Sequence, residues 1–219
     1  MGELEFDRMR QKMVDDQIIS RGVKDAMTIQ SMREVPRHLF VPETSQLIAY
    51  NDSPVPIGEG QTISQPYIVA LMIQEAKCNK NSIVLDIGTG SGYSAAIFSR
   101  FVEEVYTIER IPSLAKQSKK RFESLGYSNI HVKIGDGTHG WKEHGLYDAI
   151  VVAAGAPIVP SNLFDQLAVN GNLIIPVGSS EVQRLMRYRK VGEKEIQSEV
   201  LEYVRFVPLI GDMGWKDES

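Results

Sequence analysis

Leu85-Asp86-Ile87-Gly88-Thr89-Gly90-Ser91-Gly92 places a glycine-rich turn directly after an apolar stretch and directly before a helical pattern that opens at Tyr93. A turn between a buried strand and a helix is where nucleotide-like cofactors bind in doubly wound folds. Glycine permits the tight bend and lets bare backbone approach a ligand. The dinucleotide fingerprint GxGxxG needs its third glycine at position 93, where this chain has Tyr93. Asp86 bears on the ligand as well. A carboxylate is repelled by a pyrophosphate and attracted to a ligand carrying an ammonium and a sulfonium. The turn, with Gly88, Thr89, Gly90 and Ser91 at its centre, therefore favours S-adenosylmethionine over a nicotinamide dinucleotide.

Outward from this turn the pattern alternates. Strands are expected at 82–87, 104–108, 130–134, 147–152 and 172–176, with helices at 93–101, 113–125 and 161–167. That alternation predicts an α/β fold, a doubly wound and mostly parallel sheet. Glu109 ends the second strand, where an acidic side chain can accept from ribose hydroxyls; it can equally pair with Arg110 or a nearby lysine. Asp136, in Gly135-Asp136-Gly137, follows the third strand and can accept from an adenine amino group, or simply shape its turn. Three acidic residues at three successive strand ends fall where ligands bind such sheets. Residues 183–191 and 196–207 read as an antiparallel hairpin at the sheet edge, with Arg184, Arg187, Arg189 and Lys190 as its solvated charge.

Upstream, Met9, Met13, Ile18 and Ile19 recur at helical spacing as far as Gly22, and Asp25 is placed to cap a second helix that Pro36 ends. Residues 42–65 are rich in Pro, Gly, Ser and Asn and are expected to be a loop with little regular structure. A loop of that length in a compact domain is usually functional. Pro66 then opens a third helix.

Composition excludes several classes. The chain has 219 residues, 42% hydrophobic and 24% charged, with a formal net charge of −4, which argues against a broad nucleic-acid-binding face. No apolar run approaches the roughly 20 residues of a membrane span, and residues 1–7 lack a signal peptide's apolar region. Cys78 is the only cysteine, so neither an internal disulfide nor a cysteine-based metal site is expected, and a cytoplasmic setting is. His38 reads as a packing or backbone-bonding histidine.

Over nearly its whole length the chain resembles the protein-L-isoaspartate O-methyltransferases. The segments that carry this are Val35-Pro36-Arg37-His38-Leu39-Phe40-Val41-Pro42, Gly60-Gln61-Thr62-Ile63-Ser64-Gln65-Pro66, the glycine turn itself, and Arg205-Phe206-Val207-Pro208-Leu209. The glycine turn is common to many methyltransferases; the first two segments are specific. One departure is Gly155, where alanine or a similar residue is usual, a position expected to accept any small side chain. The resemblance implies a class I, Rossmann-like methyltransferase using S-adenosylmethionine and releasing S-adenosylhomocysteine. It implies that Ser64 is the active-site serine, that Gln65 joins it at the substrate, and that Thr62, Ile63 and Gly137 complete the cofactor site. The alternative for Ser64 or Gln65 is a cap on the helix at Pro66. The implied substrates are damaged proteins and peptides containing L-isoaspartyl residues, whose methyl esters cyclise spontaneously to a succinimide. Expected partners include no nucleic acid and no membrane, and the default state is a monomer. One domain is expected: N-terminal helices and active-site loop (1–65), cofactor-binding core (66–180), C-terminal hairpin and tail (181–219).

Overall fold

A computed structural model describes residues 2–217. Helix α1 (Glu3–Met13) continues through a π turn to Gly22, whose φ of +94° ends it. Helix α2 (Ala26–Glu34) is capped by Asp25, whose Oδ2 accepts from the Thr28 amide at 2.8 Å. Next come a short hairpin, β1 (Val55–Gly58) and β2 (Gln61–Ile63), and helix α3 (Pro66–Ala76), with proline at its first turn.

The alternating part follows: β3 (Ile83–Ile87), α4 (Tyr93–Phe98), β4 (Glu104–Glu109), α5 (Pro112–Ser124), β5 (Ile130–Ile134), β6 (Tyr147–Val152), α6 (Ser161–Asp165) and β7 (Leu167–Gly178). Strands β8 (Gln183–Lys190) and β9 (Ile196–Val204) close the chain's single large sheet, in the order β5-β4-β3-β6-β7-β8-β9. The first five are parallel; β7, β8 and β9 pair antiparallel. This is the Rossmann-like class I methyltransferase arrangement, with the expected hairpin at one edge. Apolar side chains on the two faces of the sheet form two cores. One is roofed by the N-terminal helices with α3, α4 and α5, and the other by α6 and the C-terminal segment around Leu209.

The structure corrects three details. Residues 42–65 are not irregular: they hold a 3-10 turn (Glu43–Ile48) and the β1–β2 hairpin. Its tip, Gly58-Glu59-Gly60, has φ values of +95°, +53° and +68°, so the glycines that suggested a loop are the turn that makes a hairpin. Strand β8 is an interior strand and β9 the edge, so the β8 charges do more than solvate. Arg187 is ion-paired to Glu75 and Glu199, and the Lys190 ammonium donates to the Phe164 and Leu167 carbonyls. Finally, β7 starts at Leu167, inside the expected helix, and bends at Asn170 (φ +70°).

Helix α5 packs against the end of the glycine turn. At Gly92 (φ +88°) an added Cβ would lie 2.5 Å from Phe122 Cζ, and that ring is buried. Gly92→Ala therefore combines left-handed strain with overpacking and should lower stability by about 2–4 kcal/mol. Urea denaturation checks this: the midpoint should fall while the slope stays unchanged.

Candidate active site

Beyond the carboxyl ends of β3, β4 and β6 lies a cleft of about 960 Å³, open to solvent. Its floor is the glycine turn, Gly88 to Ser91, with Glu109 beside it. Its roof is the end of the hairpin, Thr62, Ile63 and Ser64. Residues 207–210 form one wall and Gly137 belongs to the rim. The cleft thus gathers nine of the expected residues: Thr62, Ile63, Ser64, Gly88, Thr89, Gly90, Ser91, Glu109 and Gly137. Asp86, Asp136 and Gln65 are not on its surface.

Asp86 sits beneath the floor, fully buried. Its Oδ2 accepts from the Thr107 hydroxyl at 2.9 Å, and that hydroxyl lies 2.6 Å from the Thr89 hydroxyl. Its Oδ1 is buried without a partner. Burial pushes the Asp86 carboxyl up to about 7. An orphaned acceptor under a bare glycine turn suits a ligand bearing positive charge, so the residues fit S-adenosylmethionine. Glu109 does not pair with Arg110. Its Oε2 accepts from the Gly90 amide (2.8 Å) and its Oε1 from the Ile111 amide (2.9 Å), which fixes the carboxylate against the floor. Each oxygen keeps a lone pair for a hydroxyl donor.

Asp136 is committed largely to its own turn. Oδ1 accepts from the Thr138 amide and hydroxyl at 2.8 and 2.7 Å, and Oδ2 accepts from the Asp212 amide at 2.8 Å. The last bond draws the C-terminal turn in, and His139 reinforces it through Asp212 Oδ2 at 2.8 Å. These hydrogen bonds hold the Asp136 carboxyl below the usual range, although burial works against them. The wall itself hangs on Gly155, whose amide donates to Val207 O and whose carbonyl accepts from the Leu209 amide, both at 2.8 Å. Position 155 is less permissive than expected. A Cβ there would lie 2.9 Å from the Gln183 amide carbon, and that side chain is tied to Ser179 and Phe206.

Ser64 is half-buried and its carbonyl accepts from Arg37 Nη2 at 2.7 Å. The residue preceding α3 is Gln65, whose side chain makes no capping bond; its amide donates to Asp52 Oδ1 at 2.8 Å. His38 stacks on Phe6 at 3.9 Å and shares a hydrogen bond with the Tyr50 hydroxyl, away from the cleft. Two residues escaped the sequence reading. Tyr93 lines the cleft, and Arg37 lies behind it with its guanidinium carbon 4.9 Å from the ring centroid. The specific Val35–Pro42 motif was the signal for Arg37, but no spacing rule tied it to Ser64.

Comparison with known proteins identifies the family. The family model for protein-L-isoaspartate(D-aspartate) O-methyltransferase matches residues 8–214. The protein-L-isoaspartate O-methyltransferase 2 of Pelobacter propionicus is 52% identical over 207 residues, spanning 94% of this chain and 92% of its own. That of Geotalea uraniireducens is 50% identical, spanning 99% of this chain and 100% of its own. A Plasmodium falciparum protein described as the same enzyme, solved with S-adenosyl-L-homocysteine, superimposes with a TM-score of 0.80 at 28% identity, covering 92% of this chain and 98% of that one. Another solved protein-L-isoaspartate O-methyltransferase gives 0.83 at 30% identity, covering 94% of this chain and 67% of that one. The chain belongs to the protein-L-isoaspartate O-methyltransferase family.

Proposed function

We infer that this enzyme moves the methyl group of S-adenosylmethionine to the free α-carboxylate of L-isoaspartyl residues in damaged proteins and peptides, as a repair step. The observation that carries the reading is the family's specific serine segment roofing the family's cofactor turn in one cleft. When bound, S-adenosylmethionine supplies an electrophilic methyl on a sulfonium. In isoaspartate the backbone runs through the side-chain carbonyl, so the α-carboxyl hangs free. With a pKa near about 4 it is ionised at neutral pH and is already a nucleophile. No general base is required, and the work left to the protein is alignment, which can be worth about 7–11 kcal/mol.

In this reading the Ser64 hydroxyl orients the attacking carboxylate oxygen, with Gln65 next to it on the substrate side. Thr62 and Ile63 cover the cofactor, and Gly88 to Ser91 cradle it. Buried Asp86 provides the negative field beneath the turn, and Glu109 accepts from the ribose. Gly137 and the one remaining lone pair on Asp136 Oδ2 meet the adenine. We take residues 1–219 to act as one catalytic domain, as a monomer in the cytoplasm and not on nucleic acid. The net charge of −4 supports the last point. Among the described residues, no helix is long and apolar enough to cross a membrane.

The direct test supplies labelled S-adenosylmethionine with paired isoaspartyl and aspartyl peptides and scores base-labile label. Label is expected on the isoaspartyl peptide only; label on neither peptide, or on both equally, defeats the reading. Ser64→Ala should lower turnover of the isoaspartyl peptide at least about tenfold, with cofactor affinity held within about twofold. Calorimetric titration with S-adenosylhomocysteine checks the second half.

Asp86 gives a prediction with a sign. Its folded pKa is raised from 3.8 to about 7, so the penalty is absent below about pH 4, grows between the two values and is complete above about 7. Asp86→Asn should therefore make the ligand-free protein more stable at pH 8, by roughly 2–4 kcal/mol, with the gain vanishing near pH 4. The same variant should bind the cofactor more weakly. Denaturation at the two pH values measures the first effect and calorimetry the second.

A further inference from the structure

Among the described residues Arg37 is the most deeply placed cation, with no exposed surface. Its Nε donates to the Ala49 carbonyl at 2.6 Å and its Nη2 to the Ser64 carbonyl at 2.7 Å. Nη1 is buried, and the hydroxyl of the neighbouring Tyr93, itself buried, is the one side chain that hydrogen-bonds the guanidinium. The arginines at 10, 21, 33, 100, 110 and 187, all closer to solvent, each pair with a carboxylate. Among the described residues none pairs with Arg37, and the ionisable groups that act on it are Tyr93 and Tyr50. Buried charges are normally neutralised by a partner, because leaving one alone is costly. Burial brings the guanidinium down to about 10, so it is still a cation at neutral pH.

The position of this lone charge matters. It sits behind Tyr93, which lines the cleft, and is fastened to the backbone of the residue that lines the roof. We propose that Arg37 is a positioning residue for methyl transfer: it holds the Ser64 peptide in place, and its unneutralised charge makes the acceptor side of the cleft selective for an anionic carboxylate. The counter-charge that the protein withholds arrives with the substrate. Arginine suits both tasks, since its planar fork reaches two carbonyls at once. The proposal rests on the carboxyl-methylating reading given above.

The test compares two peptides in the presence of S-adenosylhomocysteine: an isoaspartyl peptide and its isoasparaginyl counterpart, whose free carboxylate is a neutral carboxamide. Wild-type protein should bind the charged peptide more tightly. Arg37→Met should cut that ratio by about tenfold while leaving S-adenosylhomocysteine affinity within about twofold. Arg37→Lys should keep the ratio within about threefold but lower kcat, because an ammonium lacks the planar fork that aims Nε and Nη2 at the Ala49 and Ser64 carbonyls. An unchanged ratio in Arg37→Met, with both peptides weakened alike, would reduce Arg37 to a strut and overturn the proposal. If Arg37→Met does not fold, Arg37→Lys decides alone: loss of the ratio despite the retained charge, or an unchanged kcat, overturns it. Failure of the wild-type protein to methylate the isoaspartyl peptide sinks the functional reading instead, so the two failures are separable.

Discussion

Strands β3 and β6 lie side by side, but the chain leaves them toward opposite edges of the sheet, through β4 and β5 on one side and β7 on the other. No connection can fill the gap that opens beyond their carboxyl ends. Every other feature of the molecule answers that constraint. The glycine turn bends tightly enough to stay clear of the gap, and Asp86 is buried directly under it. Glu109 is clamped by two backbone amides at the next strand end. The hairpin of β1 and β2 comes over the top, and the segment after β9 closes the side. The N-terminal helices cover the face of the sheet from which that hairpin is delivered.

The part of the fold built from this alternation was legible in the sequence because each strand is an apolar run bounded by a turn residue, and each helix has a recognisable start. Asp25 and Pro66 are such starts. The hairpin was not legible for a physical reason. Its strands have four and three residues, too few to display a period, and the glycines at its tip also belong to any loop. Strand β7 overran its predicted start because Asn170 takes a left-handed conformation and lets the strand bend without ending. At the site, residues on the turn could be placed from sequence because strand ends fix them. Asp136 shows the limit: its position and its local ties to Thr138 belong to its own turn, but its tie to Asp212 depends on a segment more than seventy residues away. Arg37 depends likewise on two carbonyls that only tertiary structure brings within reach.

Two buried charges of opposite sign divide the cleft between them. Asp86 lies beneath the floor and Arg37 behind the roof, each without exposed surface. Among the described residues neither has an ion-pair partner. A low-dielectric interior makes each field stronger than the same charge would produce at the surface. The arrangement prepares a cationic wall for an anionic acceptor, and beneath the floor a carboxyl that titrates at about 7 and is drawn to its charged form by a cationic donor. Pre-set fields of this kind need no reorganisation when the reaction occurs.

The wall formed by residues 207–210 has a consequence for how the molecule comes into being. Roof, floor and wall come from residues 62–64, 88–91 and 207–210, and Trp215 ties the last of these to Gly155 through its indole nitrogen at 3.0 Å. During synthesis the glycine turn emerges more than a hundred residues before the wall exists. A nascent chain can therefore form the central strands early, yet it has no enclosed cleft until its C-terminal segment has left the ribosome and returned to Gly155. Contacts of such long sequence separation form late in folding. Occupancy of the cleft thus reports that residues 207–215 have been made and have docked, and a chain without them has no complete site with which to act on its neighbours.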